Sequence, residues 1–252
     1  MDPATDRTLI VMPTYKERDS LALTVGSLRA VIPAVDILIV DDNSPDGTGD
    51  IADGLAADSD KVHVLHRRAK NGLGAAYIAG FGWGIDHGYD VMVEMDADGS
   101  HRAEDLPALL AGIRSGADLV IGSRWVPGGS ILNWPRHRAW LSKAGNSYVR
   151  TVLGIGLRDA TAGFRAYRSA AIDKLNMQTI ASQGYCFQVD MAWRARKAGL
   201  DIREVPITFV EREHGASKMN SAIVIEALWR TTLWGVMYRA QQLRKLLGSK
   251  TL

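Results

Sequence analysis

The stretch VEMDADGSH, residues 93–101, ends an apolar run with Asp96 and Asp98, followed by Gly99, Ser100 and His101. Ionised carboxylates this close repel each other, so either water solvates the turn or a cation sits in it. A D-x-D turn can aim both carboxylates at one divalent ion, and hard oxygen ligands suit Mg²⁺ or Mn²⁺. Such an ion keeps waters and takes its other ligands from substrate phosphates. Taken alone, D-x-D is a weak signal. Its position after a buried strand in mid-sheet strengthens it.

Other polar clusters recur at strand ends. PTYKE follows the first apolar run, DDNSPDGT the second and GSR the fifth. In DDNSPDGTGDIAD, Asp42, Ser44, Asp46, Gly47 and Asp53 match positions of a calcium loop. A strand precedes it, Pro45 interrupts it and the last ligand is Asp instead of Glu, so the calcium reading fails. There remains a strand-to-helix turn with Asp42 able to accept hydrogen bonds from a sugar or base. NGLGAAYIAGFG lacks the third glycine of a dinucleotide fingerprint and follows the third strand, not the first. No G-x-S-x-G, H-E-x-x-H, Walker A or paired C-x-x-C motif occurs.

The elements that must position these clusters alternate. Strands are expected over 8–13, 36–42, 61–67, 90–96 and 118–124, and helices over 18–31, 47–57, 75–87 and 103–116. The strands are continuously apolar, as for a sheet covered on both faces. This rhythm gives right-handed βαβ units and an α/β fold with an open, mostly parallel sheet, whose ligands bind at the carboxyl ends of the strands. Beyond residue 124, a Pro/Gly loop leads to an amphipathic helix near 138–153, with Trp140, Leu141, Ala144, Tyr148 and Val152 on one face. A strand over 161–168, a helix over 184–198, a strand over 202–212 whose Pro206 suggests a sheet edge, and a helix over 221–247 complete the chain. No repeat or linker appears, so a single domain over 1–252 is expected, with its core over about 8–215.

Composition bounds the function. The chain is 46% hydrophobic and 23% charged, with a net charge of +2, which gives no global case for nucleic-acid binding. Trp125–Leu157 holds no acid but carries Arg136, Arg138, Lys143 and Arg150 among Trp125, Trp134 and Trp140. After Glu226 acids are again absent while Arg230, Arg239, Arg244, Lys245 and Lys250 remain. Such stretches suit an anionic membrane surface or an ordinary solvated face. The lone Cys186 excludes an internal disulfide, fits a reducing compartment and reads as a packed thiol. The start, MDPATDRTLIV, has no signal-peptide pattern, and AIVIEALWRTTLWGVM is too short and charged to span a bilayer.

PTYKE, VDDNSPDGT, KNGLGAAYIAGF, MDADGSH, GSRWVPGG, TAGFRAYR, GYCFQVDM and ERxxGxSKM occur in the order found in dolichyl- and polyprenyl-phosphate mannosyltransferases, inverting GT-A glycosyltransferases of family 2, which the chain resembles from about Pro13 to Met219. The resemblance implies a Rossmann-like GT-A fold. It implies that Pro13, Tyr15, Glu17, Val40 and Asp42 surround the nucleoside of GDP-mannose. Asp96, Ala97 and Asp98 would meet the diphosphate, Asp98 and Ser100 would ligate the metal with Asp96 close to it, and Arg124, Arg212 and Lys218 would contact phosphates. Asp96, Asp98 and Arg124 are then the catalytic set. Relatives commonly carry Leu and then Gln or Ser where this chain has Gly99 and Ser100, and several continue into transmembrane helices.

Charge developing on a departing nucleoside diphosphate calls for a metal ion and fixed cations. No residue stands out as the general base that a hydroxyl acceptor requires. A polyprenyl phosphate, largely dianionic at neutral pH with a second pKa of roughly 6, needs none. The expected reaction is metal-dependent transfer of mannose from GDP-mannose to polyprenyl phosphate, with inversion. It would run at the cytoplasmic face of a membrane, with a membrane-embedded partner as one means of attachment. The helices near 138–153 and 221–247 either lie at that interface or pack on the sheet or another subunit. His101 either orients the turn or an acceptor phosphate, or is a helix-entry polar residue. Arg165 and Arg168, three apart on a strand, cannot share a face, so at most one points at the acceptor. Rival readings are a UDP-glucose donor, a soluble sugar acceptor, and a non-catalytic nucleotide-sugar-binding membrane adaptor.

Overall fold

The computed structural model describes residues 6–177, 180, 185–212 and 228–240. β1 (Thr8–Thr14), β2 (Asp36–Asp41), β3 (Val62–His66), β4 (Val91–Glu94) and β5 (Leu119–Ser123) form where β-branched and apolar residues run together. Helices α1 (Leu21–Val31), α2 (Thr48–Ala57), α3 (Leu73–Asp86) and α4 (Leu106–Arg114) alternate with them, α4 after a 3₁₀ turn over Ala103–Asp105. Every residue of β2, β4 and β5 is buried, as expected for strands covered on both faces.

With β7 (Arg165–Arg168) and β8 (Ile202–Pro206), the seven-stranded sheet has the order β3-β2-β1-β4-β7-β5-β8. β2 and β3 are laid to one side of β1 and β4 to the other, so the order reverses between β1 and β4. That reversal opens the crevice in which α/β sheets hold ligands. All neighbours are parallel except β7 (Arg165–Arg168), which is antiparallel to both β4 and β5.

Two expected strands are shorter or divided. Only 165–168 of the stretch 161–168 joins the ladder, because the Arg165 guanidinium gathers the carbonyls of Ala160 and Ala162 at 2.7 and 2.8 Å and curls the preceding backbone. The strand expected over 202–212 breaks at Ile207. β8 (Ile202–Pro206) edges the large sheet, where Pro206 needs no ladder donor, and β9 (Thr208–Val210) pairs with β6 (Ser130–Leu132) in a second, two-stranded sheet.

One core cluster unites the α3 face of the sheet with α5 (Arg136–Leu153) and α7 (Tyr185–Lys197), and the other lies beneath α1, α2 and α4. Gly80 lets α3 approach β1, because a β-carbon there would sit 2.3 Å from Val11 Cγ1. The short α6 (Ser169–Asp173) follows β7. α5 buries Asn146, Val149 and Leu153, not the face that begins at Trp140. Along that face Tyr148 bonds Thr232 at 2.6 Å, so its C-terminal part packs sideways on the helix over residues 228–240. Trp140 and Leu141 stay exposed. The rest of the helix expected over 221–247 lies outside the described residues. Cys186 is buried, as expected of a packed thiol.

Candidate active site

β4 delivers the D-x-D turn to the switch point. The Met95 amide donates to Val11 O of β1 at 3.3 Å, and the chain then leaves the sheet. The Ser100 amide donates to Asp98 Oδ1 at 3.0 Å, an Asx turn, and Gly99 takes the positive φ of 76°. The Asp96 amide donates to His101 Nδ1 at 3.1 Å. His101 is buried, stacked on Phe164 with centroids 5.0 Å apart and edge-on to Phe209. Burial pushes the His101 pKa down, Arg124 adding to the effect against the pull of Asp96 and Asp98. A neutral imidazole accepting at Nδ1 carries its proton on Nε2. Of the roles open to it, His101 therefore orients the turn.

The two carboxylates stand in different surroundings. Asp98 Oδ2 meets Arg212 Nη1 at 3.2 Å. Asp96 Oδ1 accepts from the Tyr77 hydroxyl at 3.4 Å. Burial raises the Asp96 pKa; His101 and Arg212 oppose that shift and Asp98 reinforces it. Beside them Ser100 Oγ is buried and finds no hydrogen-bond partner among the described residues. Two carboxylates and an orphaned hydroxyl are hard donors that fit Mg²⁺ or Mn²⁺. Among the described residues no group of three His, Cys, Asp or Glu forms a fuller cage. An ion that draws its remaining ligands from a diphosphate and water needs no more from the protein.

On the β1–β2 side, Pro13 pairs with Val40 in register and the Asp42 amide donates to Thr14 O at 3.0 Å. The Tyr15 ring lies 3.8 Å from Lys70 Nζ, and the Glu17 amide donates to Thr48 Oγ1 at 3.0 Å. Asp42 forms an ion pair with Arg67, a partner the sequence did not announce, and burial raises its pKa against the pull of that arginine. Val40, expected at the nucleoside, pairs with Pro13 at the carboxyl end of β2. It exposes no surface and packs in the core against α3, so it supports this side of the crevice from within.

On the β5 side, Arg124 is held, not extended. Its Nε and Nη2 grip Asp159 at 2.7 and 2.6 Å, and Nη2 also reaches Thr161 Oγ1 at 3.0 Å. Trp134 and Phe209 lie 5.6 and 5.5 Å from its guanidinium carbon. Arg138, 4.1 Å above Trp134, bonds Glu211 at 2.6 Å, and Glu211 precedes the arginine that meets Asp98. Asp159, Glu211 and Arg138 were not assigned partners from the sequence; the acid-free basic run was the only signal for Arg138. Lys218 lies outside the described residues.

Arg165 and Arg168 do face opposite ways, and both serve the fold. Arg165 also donates to Gln188 O at 2.9 Å, while Arg168 reaches Ala117 O at 3.1 Å. Next to Arg165, the Glu94 carboxylate is fully buried, and burial pushes its pKa to about 7 against the pull of Arg165, Gln188 and Tyr167.

A mostly parallel sheet with a carboxylate turn at its switch point defines the GT-A class of glycosyltransferase fold. The chain belongs to glycosyl transferase family 2, whose family model matches residues 9–175. It is 54% identical over 248 residues to the polyprenol monophosphomannose synthase of Mycolicibacterium smegmatis, covering 96% of this chain and 94% of that one. It is 57% identical over 242 residues to the undecaprenyl-phosphate mannosyltransferase of Micrococcus luteus, covering 96% and 99%. In fold it resembles glucosyl-3-phosphoglycerate synthase from Mycobacterium tuberculosis, solved with Mn²⁺, UDP-glucose and phosphoglyceric acid. The TM-score is 0.67 at 18% identity, over 91% of this chain and 80% of that one.

Proposed function

We propose that this glycosyltransferase moves mannose from GDP-mannose to a polyprenyl phosphate, giving the inverted, β-linked polyprenyl-phosphate mannose and GDP. The observation that carries the reading is the β5 side of the site. Arg124, Arg138 and Arg212 converge there among Trp134 and Phe209, and the nearby carboxylates Asp159 and Glu211 are each gripped by an arginine. That surface suits an anionic acceptor, and among the described residues its carboxylates Asp159 and Glu211 are engaged by arginines and not free to deprotonate a hydroxyl. The two curated relatives, similar over almost their whole lengths, are named for this chemistry.

In the reaction the bond between the anomeric carbon and the diphosphate oxygen breaks as an acceptor phosphate oxygen attacks from the opposite face. The acceptor is largely dianionic at neutral pH, so no proton must be removed. A bound Mg²⁺ or Mn²⁺, held by Asp96, Asp98 and Ser100, supplies Lewis-acid stabilisation of the leaving diphosphate. Arg212 adds a fixed cation beside Asp98, and Arg124, braced by Asp159, keeps a positive field on the acceptor side. Tyr15, Glu17 and Asp42 hold the nucleoside, with Pro13 beside them at the β1 end. The enzyme works peripherally at the cytoplasmic face of a membrane. No helix among the described residues is long and apolar enough to cross one.

The test is transfer of labelled sugar into organic-extractable polyprenyl phosphate, comparing GDP-mannose with UDP-glucose, and added Mg²⁺ or Mn²⁺ with EDTA. Label from GDP-mannose that vanishes with EDTA is expected. Label from UDP-glucose alone moves the donor assignment. Donor binding without any transfer leaves the adaptor reading.

A further inference from the structure

Asp42 meets Arg67 where the ends of β2 and β3 lie side by side. Asp41 pairs with His66 in register, and the Arg67 amide continues the ladder to Asp41 O at 2.8 Å. Side chains alternate across a strand, so neighbours in sequence face opposite ways. Asp41 is taken up by its own turn, accepting from Thr14 Oγ1 at 3.2 Å and Ser44 Oγ at 2.6 Å. His66 Nε2 meets Asp53 Oδ1 of α2 at 2.9 Å. Asp42 and Arg67, each one residue further on, turn the other way and pair through Oδ1 and Nη1. Among the described residues neither side chain makes another hydrogen bond. The Asp42 and Arg67 side chains are 6% and 14% exposed, so a hydrogen bond made there meets little competition from water. The loop after Arg67 then reaches the β1 end, where Lys70 Nζ covers the Tyr15 ring at 3.8 Å. This loop therefore borders the β1–β2 side of the crevice.

We propose that Arg67 determines the base of the donor: paired with Asp42 it selects guanine, the nucleoside being placed here by the proposed function. Guanine shows an acceptor, O6, and then two donors, N1–H and N2–H, along one edge. Arg67 holds Oδ1 and not Oδ2, so the pair shows the complement in the same order: a guanidinium donor, then Oδ1, then Oδ2. Oδ1 keeps a second lone pair for N1–H. Uracil presents O4, N3–H and O2, which sets O2 against Oδ2, acceptor against acceptor. Adenine fails at the first position, where its amino group meets the guanidinium, and at the second, where N1 meets Oδ1. A carboxylate alone would hold the two donors of guanine, but nothing would test for O6. A site built of hydrogen-bonding groups rejects a base that leaves them unpaired, because they have already lost their water.

The experiment titrates the full chain, with saturating Mg²⁺, by calorimetry against GDP, 6-thio-GDP, IDP, UDP and ADP. The first analogue keeps N1–H and N2–H but exchanges O6 for a poorly accepting sulfur, and IDP lacks only the N2 amino group. Wild type should bind GDP about tenfold or more tighter than 6-thio-GDP or IDP, and about a hundredfold or more tighter than UDP or ADP. R67M should bind GDP and 6-thio-GDP alike while still preferring GDP to IDP, because Asp42 still meets N2–H. Equal wild-type affinity for GDP and 6-thio-GDP overturns the proposal, whether or not R67M folds. An unchanged ratio in R67M overturns it and leaves GDP as the donor nucleotide. Parallel loss of all five affinities in R67M marks a structural residue and overturns it as well. UDP bound more tightly than GDP by wild type overturns it together with the proposed donor. The expected pattern, with no lipid ever labelled, keeps the role of Arg67 and sinks only the proposed transfer.

Discussion

Arg212 Nη1 lies 3.2 Å from Asp98 Oδ2, tying the segment after β9 to the carboxylate turn after β4. The contact places a fixed cation and the second aspartate of the D-x-D pair at one point, where the proposed metal binding and phosphate stabilisation would meet. Replacing Asp98 with Ala should abolish transfer and Mn²⁺ binding seen by electron paramagnetic resonance, while leaving the circular dichroism spectrum unchanged. Replacing Arg212 with Gln should lower kcat by roughly 10²–10³-fold, the cost of losing one fixed charge stabiliser, with Mn²⁺ still bound. An R212Q enzyme with wild-type kcat would remove Arg212 from the reaction.

Arg124 and Asp159 form a buried, bidentate pair, so Arg124→Ala should destabilise the fold as well as the reaction. Breaking such a pair from one side costs about 3–5 kcal/mol, because the other charge stays buried. Urea unfolding followed by fluorescence measures this. Stability equal to wild type would show that the pair does not brace the site.

Gly80→Ala should destabilise the protein by about 1–3 kcal/mol, the usual cost of overpacking a core. The new methyl meets Val11 Cγ1 at 2.3 Å. The double variant G80A/V11A should recover part of that loss, since the clash is with a side chain that can be removed. No recovery would mean that α3 is kept close to the sheet by something other than this contact.

Arg165→Met should lower stability by about 3 kcal/mol or more, because buried carbonyls of Ala160, Ala162 and Gln188 lose charged donors. Arg168→Gln should leave the KM for the acceptor unchanged, since that side chain turns toward Ala117 on the other face. A raised acceptor KM in R168Q would overturn this assignment of Arg168 to the fold.

Much of this architecture was legible from local pattern. Continuous apolar runs marked β1, β2, β4 and β5, since strands buried on both faces leave no polar alternation. Turn chemistry marked the segments at their carboxyl ends, including the D-x-D turn, and Pro206 marked the sheet edge. Less legible was β7, four residues that enter the sheet antiparallel between β4 and β5. A short apolar run reports burial, but carries no information on direction or neighbours. The division of 202–212 was hidden for a related reason, because a strand that changes sheets keeps the same residue types across the break.

The sequence by itself determined the α/β class, the positions of the polar clusters at strand ends and the D-x-D turn, all of which depend on residues near one another along the chain. Only the tertiary structure decided which groups answer one another across it. It set Arg124 on Asp159, Arg138 on Glu211, Asp42 on Arg67 and Arg212 on Asp98, buried Val40 behind the β1–β2 side of the crevice, and left Trp140 and Trp229 outside. A buried charge must find a partner, but the chain's path alone brings that partner within reach, and no local spacing encodes it.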